Sequence, residues 1–250
     1  MRSRRSFLAG ITLAVVVAGA LGATLLQEEG KIRVLIVTGF DVESHKWRDT
    51  SELTRVTLEE SDRFEVRVCE DIGIFESSSL GSYDAVILNY GFWTAPDPSE
   101  KGKAGLLEFV ESGKGLVSLH FACSSFQKWD EYATLLGRVW KQGMGGHGPK
   151  GEFTVKIEAK DHPITEGMSN FTIDDELYAK LSGDAEIEVL ANAYSDWSER
   201  VEPIVFVKKY GEGRVVHNVL GHGLEPRKNE DFKKLLTRGV EWAATGKVAK

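Results

Sequence analysis

The side chains able to do chemistry in this 250-residue chain are few, since it has six histidines and two cysteines. Three histidines stand where an apolar run gives way to a loop. His45, with Trp47 beside it, follows residues 32–38 (IRVLIVT); His120 ends residues 115–120 (GLVSLH); His222 follows the run that ends at Leu220. A fourth, His147, sits in the glycine-rich segment Gly143-Met144-Gly145-Gly146-His147-Gly148. An imidazole titrates near neutral pH and serves as base, acid or metal ligand. The carboxylates of Asp174-Asp175-Glu176, ahead of Leu177-Tyr178, are able to complete a metal site or act as general base. The alternative is a solvated acidic turn or the first turn of a helix, where carboxylates suit the dipole. Trp47, Trp93 and Trp129 offer flat faces to a sugar ring, although tryptophan also serves simply as core or rim.

Each candidate has a rival reading. His120 precedes the small, polar turn Phe121-Ala122-Cys123-Ser124-Ser125, which reads as a strand-turn-helix elbow with an imidazole at its tip. It could equally be a core histidine bonded to backbone carbonyls. Residues 143–148 match G-x-G-x-x-G literally, but they follow a helix-like stretch and precede Pro149 and a strand, the wrong context for a dinucleotide loop. No nucleotide cofactor is expected. The glycines instead let the chain carry His147 close to a ligand. His162, in Asp161-His162-Pro163, divides evenly between site and turn, and His217, inside the strand-like residues 214–220, reads as structural. There is no H-E-x-x-H and no paired C-x-x-C, so a metal site would have to be assembled from distant loops.

The elements that must position these groups alternate. Short, near-continuous apolar runs at 32–38, 64–69, 83–89 and 115–120 are separated by helix-like stretches at 47–60 and 99–112, and a further one follows at 126–140. Such runs suit strands buried on both faces, and the β-α-β order predicts a doubly wound parallel sheet. Ligands then bind outside the carboxyl ends of the strands, where His45, the segment 89–93, His120 and His222 fall. Beyond Gly143 the character changes to strands at 153–157, 187–190, 204–207 and 214–220 and a closing helix at 232–244, an α/β domain with a strand-rich extension.

Charge divides the chain. Of 31 basic and 38 acidic residues, Arg2, Arg4 and Arg5 and no acid lie in residues 1–26, which leaves the remainder at 28 against 38, a formal −10. That excess excludes a phosphate-tracking nucleic-acid binder. Residues 1–26 read as an export signal: Ser3-Arg4-Arg5-Ser6-Phe7-Leu8 resembles the twin-arginine signal, and small residues end the apolar run. The run is also just long enough for an uncleaved anchor. The expected destination is the periplasm or cell envelope, with no membrane segment in the body. Cys69 and Cys123 fall in or near apolar runs and read as packing residues.

Taken together, His45 near Trp47, residues 115–120, His147 in its loop, Asp161-His162-Pro163-Ile164-Thr165, Asp175-Glu176-Leu177-Tyr178, and Tyr210-Gly211-Glu212-Gly213-Arg214 leading to Leu220-Gly221-His222 resemble the ThuA-like (trehalose-utilisation) family. The resemblance covers the body, about residues 30–248. It implies a flavodoxin-like fold of the class I glutamine amidotransferase type, whose elbow would hold a catalytic cysteine. Here that tip is His120 and Cys123 lies three residues late, so thiolate glutamine hydrolysis is not expected. The family implies catabolism of disaccharides oxidised to 3-keto derivatives, and a histidine and acid cluster able to hold a divalent metal such as zinc. Where the family has an aromatic residue in the last strand, this chain has His217.

Two functions from different classes follow. The first is an exported enzyme acting on a carbohydrate. In it His120, His147 and Glu176 are catalytic, His45, Trp47, Trp93, Asp175 and His222 bind substrate, and His45, His120, His147 and His222 are the metal candidates. The second is a non-catalytic sugar- or partner-binding module on the same fold. A thiol hydrolase using Cys123 is a third.

Overall fold

The computed structural model describes residues 30–249; the expected export signal, residues 1–26, lies outside them. The parallel half contains β1 (Ile32–Val37), α1 (Trp47–Glu59), β2 (Phe64–Cys69), β3 (Ala85–Leu88), α2 (Glu100–Glu111) and β4 (Gly115–Leu119). A 3-10 turn over His120–Ser124 leads to α3 (Glu131–Leu136). The remainder holds β5 (Gly146–His147), β6 (Gly151–Ile157), β7 (Phe171–Asp175), β8 (Tyr178–Ala179), β9 (Glu188–Ser195), β10 (Arg200–Tyr210), β11 (Gly213–Asn218), α4 (Leu224–Lys228) and α5 (Glu230–Thr245).

One nine-stranded sheet runs β2-β1-β3-β4-β11-β10-β9-β6-β7. The first five strands are parallel, with Val34 opposite Ala85, Val86 opposite Leu116 and Val117 opposite Val216. The last four are antiparallel, so the strand-rich extension prolongs the same sheet. The expected doubly wound, flavodoxin-like sheet is therefore present, and the extension shares its core: Val155, Ile173, Ala191 and Phe206 belong to one apolar cluster with Val34, Ile87 and Leu119. All residues of β3 and β4 are buried, which is why these strands read as unbroken apolar runs. Ser99 caps α2 by accepting from Gly102 N at 3.1 Å, and Asn229 caps α5 by accepting from Asp231 N and Phe232 N at 2.9 and 3.1 Å.

Two expectations are corrected. The helix expected over residues 126–140 is only the six-residue α3, because Phe126 (φ 53°) and Gly137 (φ 85°) break the backbone on either side. The rings of Phe126, Trp129 and Tyr132 pack on one another there, an aperiodic cluster that resembles a helix in sequence. Asp174-Asp175 forms neither a free turn nor a helix start but the end of β7, paired with β6.

Candidate functional site

Five segments deliver side chains to one place beyond the carboxyl ends of the parallel strands. The loop after β1 brings His45, the end of β4 brings His120, β5 brings His147, the turn after β7 brings Glu176, and the loop after β11 brings His222. One nitrogen from each of His45, His120 and His222 lies within 4.8 Å of the others. Glu176 closes the group: Oε2 is 3.1 Å from His222 Nδ1 and 3.5 Å from His120 Nε2, and Oε1 is 3.3 Å from His147 Nδ1.

The ring nitrogens are assigned by their partners. His120 Nδ1–H donates to Val219 O at 2.7 Å, which leaves the Nε2 lone pair facing His222 Nδ1 at 3.3 Å. His120 sits at φ 40°, in the left-handed region that a side chain other than glycine rarely takes. His45 stacks flat on Phe121, centroids 4.4 Å apart, and its Nδ1 is buried with no hydrogen-bond partner among the described residues. Burial, and then the neighbouring His120 and His222, push its imidazole down to about 2, so the ring is neutral at physiological pH. Burial alone would raise the Glu176 carboxyl; the adjacent imidazoles of His120 and His222 hold it well below the usual carboxylate range instead. His147, with its side chain 43% exposed, is the histidine of the group most open to solvent. Its Nδ1 faces two acceptors, Gly148 O at 2.9 Å and Glu176 Oε1 at 3.3 Å, so the proton belongs on Nδ1 and the lone pair on Nε2.

Behind these groups lies a buried polar frame. Asp175, expected to touch substrate, is fully buried, and its carboxylate accepts from Gly221 N (2.6 Å), His222 N (3.0 Å) and Glu176 N (2.9 Å). It ties the Glu176 turn to the His222 loop. Arg227, which has no motif in sequence to announce it, is buried in α4 and bonds Gly221 O, Thr54 and Asn89.

The aromatic candidates are placed differently from one another. Trp47 is buried, donates Nε1–H to Asp41 at 2.7 Å and carries Arg48 over its ring; it borders, with His45, an open cavity of about 440 Å³. Trp93 stacks on Phe92 and Trp140, centroids 3.5 and 5.2 Å away, and Phe92 adjoins His45. Trp129 is core. The glycines beside His147 are required by close approach, since a Cβ on Gly145 would lie 2.8 Å from Trp140 Cδ1 and one on Gly146 2.6 Å from Trp197 Cη2. His162 accepts from Ile164 N within its own turn and packs on Trp242, and His217 is buried against Phe206, both outside the cluster. Cys69 and Cys123 are free thiols; Cys123 is buried, and burial pushes its thiol up to about 12, so it is not poised as a thiolate.

A flavodoxin-like sheet with a histidine–carboxylate centre beyond its parallel strands defines the class of α/β protein to which this one belongs. Within that class the chain is a member of the ThuA family, described as trehalose utilisation, whose model matches residues 33–243. A solved thua-like protein from Parabacteroides merdae is 30% identical over 88% of this chain and 92% of its own, with a TM-score of 0.79. Another, from Bacteroides uniformis, is 18% identical over 88% and 95%, TM-score 0.70. The β-galactosidase of Rahnella sp. R3 shares the fold with 31% of its chain, at 14% identity over 85% of this one and a TM-score of 0.59. No curated protein matches the sequence. Membership makes this a trehalose-utilisation-related protein.

Proposed function

We propose that this protein is an enzyme of carbohydrate catabolism, acting on a 3-keto-glycoside such as the 3-keto derivative of trehalose by proton abstraction next to its carbonyl. The supporting observation is the convergence of His45, His120 and His222 with Glu176 and His147 at one point. Three imidazole nitrogens and a carboxylate oxygen are the donor set of a zinc-type cation, and the orphaned Nδ1 of His45 adds a buried polar atom in want of a partner. His45, His120 and His222 would hold the ion, with Glu176 adjacent. Such an ion, when bound, supplies Lewis acidity toward a carbonyl oxygen or a water.

His147 is the base in this reading. Its Nε2 takes the proton from the carbon between the ketone and the anomeric centre, the enolate electrons expel the glycosidic oxygen from the anomeric carbon, and the imidazolium, held through Nδ1–H by the anionic Glu176, returns the proton to that leaving oxygen. Asp175 positions Glu176 and His222, and Val219 O fixes the His120 tautomer. Residues 1–26 direct export through the twin-arginine route, which places the work in the periplasm or cell envelope. Among the described residues no helix is long and apolar enough to cross a membrane. The experiment is to incubate the purified protein, with and without Zn²⁺, with trehalose and its 3-keto derivative in D₂O. Deuterium uptake beside the ketone and consumption of the keto sugar are expected; binding without exchange or turnover identifies a non-catalytic module and overturns the proposal.

A further inference from the structure

Arg227 is nine-tenths and more buried, and among the described residues no carboxylate bonds it directly. Its Nε–H donates to Gly221 O at 2.9 Å, Nη1 to Thr54 Oγ1 at 2.9 Å and Thr50 O at 3.3 Å, and Nη2 to Asn89 Oδ1 at 2.8 Å. Asn89 in turn donates to Thr50 Oγ1 and Ser51 Oγ at 3.1 and 2.8 Å. Thr50, Ser51 and Thr54 belong to the first turns of α1, which begins two residues after His45. Gly221 precedes His222, and both of their amides are held by Asp175, the neighbour of Glu176.

We propose that Arg227 is a positioning residue whose planar fork sets the spacing of His45 from His222 and, through Asp175, of Glu176 from both. A guanidinium buried among neutral acceptors is a costly way to fill a core, and an apolar side chain of similar volume would serve stability at least as well. What the guanidinium adds is geometry: a rigid set of donors that a flexible ammonium cannot reproduce. The three segments it joins, the start of α1, the end of β3 and the loop after β11, are far apart in sequence and share no covalent constraint. This role rests on the reading of His45, His120 and His222 as a cation site.

The test compares the full-length protein with Arg227→Lys, Arg227→Met and Thr54→Val. Titration with Zn²⁺ gives affinity, the visible spectrum of the Co²⁺ complex gives ligand geometry, and thermal unfolding gives stability. Arg227→Lys is expected to stay folded, bind Zn²⁺ about 10- to 100-fold more weakly, as outer partners of a metal site do, and show shifted Co²⁺ bands. Should both Arg227 variants fail to fold, Thr54→Val decides: it removes one arm of the fork and is expected to weaken Zn²⁺ severalfold and move the same bands. A folded variant with wild-type affinity and spectrum, or one with a lowered Tm alone, overturns the positioning role while leaving the cation site standing. Wild-type protein that takes up neither ion overturns the site and the role together.

Discussion

Glu176 Oε2 lies 3.1 Å from His222 Nδ1, joining the turn after β7 to the loop after β11. The other oxygen of the same carboxylate faces His147, so one side chain orients the exposed imidazole and closes the buried histidine group.

Glu176→Gln keeps the shape and removes the charge. With no anion to hold its Nδ1–H and stabilise its protonated form, His147 becomes a poorer base, and turnover of the keto sugar is expected to fall about 100- to 10,000-fold. Steady-state kinetics with circular dichroism checks it; a folded variant with wild-type kcat defeats the assignment.

Metal should be visible in stability. A ligand that binds only the folded state at 100 times its Kd adds about 2.7 kcal/mol. Zn²⁺ is therefore expected to raise Tm, EDTA to lower it and to abolish turnover, and His120→Ala to remove both responses. A Tm indifferent to Zn²⁺ and EDTA counts against the site.

A Cβ on Gly146, in the loop carrying His147, would approach Trp197 Cη2 to 2.6 Å, so the loop or the exposed indole must shift to admit a methyl group. Gly146→Ala should shift the loop and lower kcat by up to about 100-fold, as small misplacements of a catalytic group do, with a much smaller change in Tm. Restoring space with Gly146→Ala/Trp197→Ala should recover part of the loss, and failure of that recovery separates the clash from other causes.

His217 predicts an acid-side weakness. Burial pushes its imidazole from an ordinary 6.5 down to about 3, so between those values the unfolded chain binds a proton that the folded protein refuses. Its effect on stability is nil above pH 6.5 and becomes a loss as pH falls toward 3, on the order of a few kcal/mol. Neither ring nitrogen has a hydrogen-bond partner among the described residues, so His217→Phe should leave neutral-pH stability equal or higher and flatten this slope. Urea midpoints between pH 4 and 7 for both proteins measure it.

Local pattern made the parallel half readable. Unbroken apolar runs exist where a strand is covered on both faces, so 32–38 and 115–120 announced β1 and β4, and with them the loop positions of His45 and His120. The aromatic cluster at 126–132 misled for the same reason, since pattern registers apolar spacing and not backbone angle. The family resemblance added the order of motifs, and the fold agreed with it.

The amino-acid sequence by itself determined the alternation of strands and helices, the acidic body and the placing of His45, His120 and His222 at strand ends, because each depends on neighbours within a few residues. Tertiary structure alone decided that these three meet Glu176 and His147, that Asp175 faces backbone amides, that Trp47 and Trp93 spend their rings on Arg48, Phe92 and Trp140, and that Arg227 binds the frame together. Those contacts span intervals such as the 138 residues between Arg227 and Asn89. They exist only after the sheet has closed the distance, and no local periodicity encodes them.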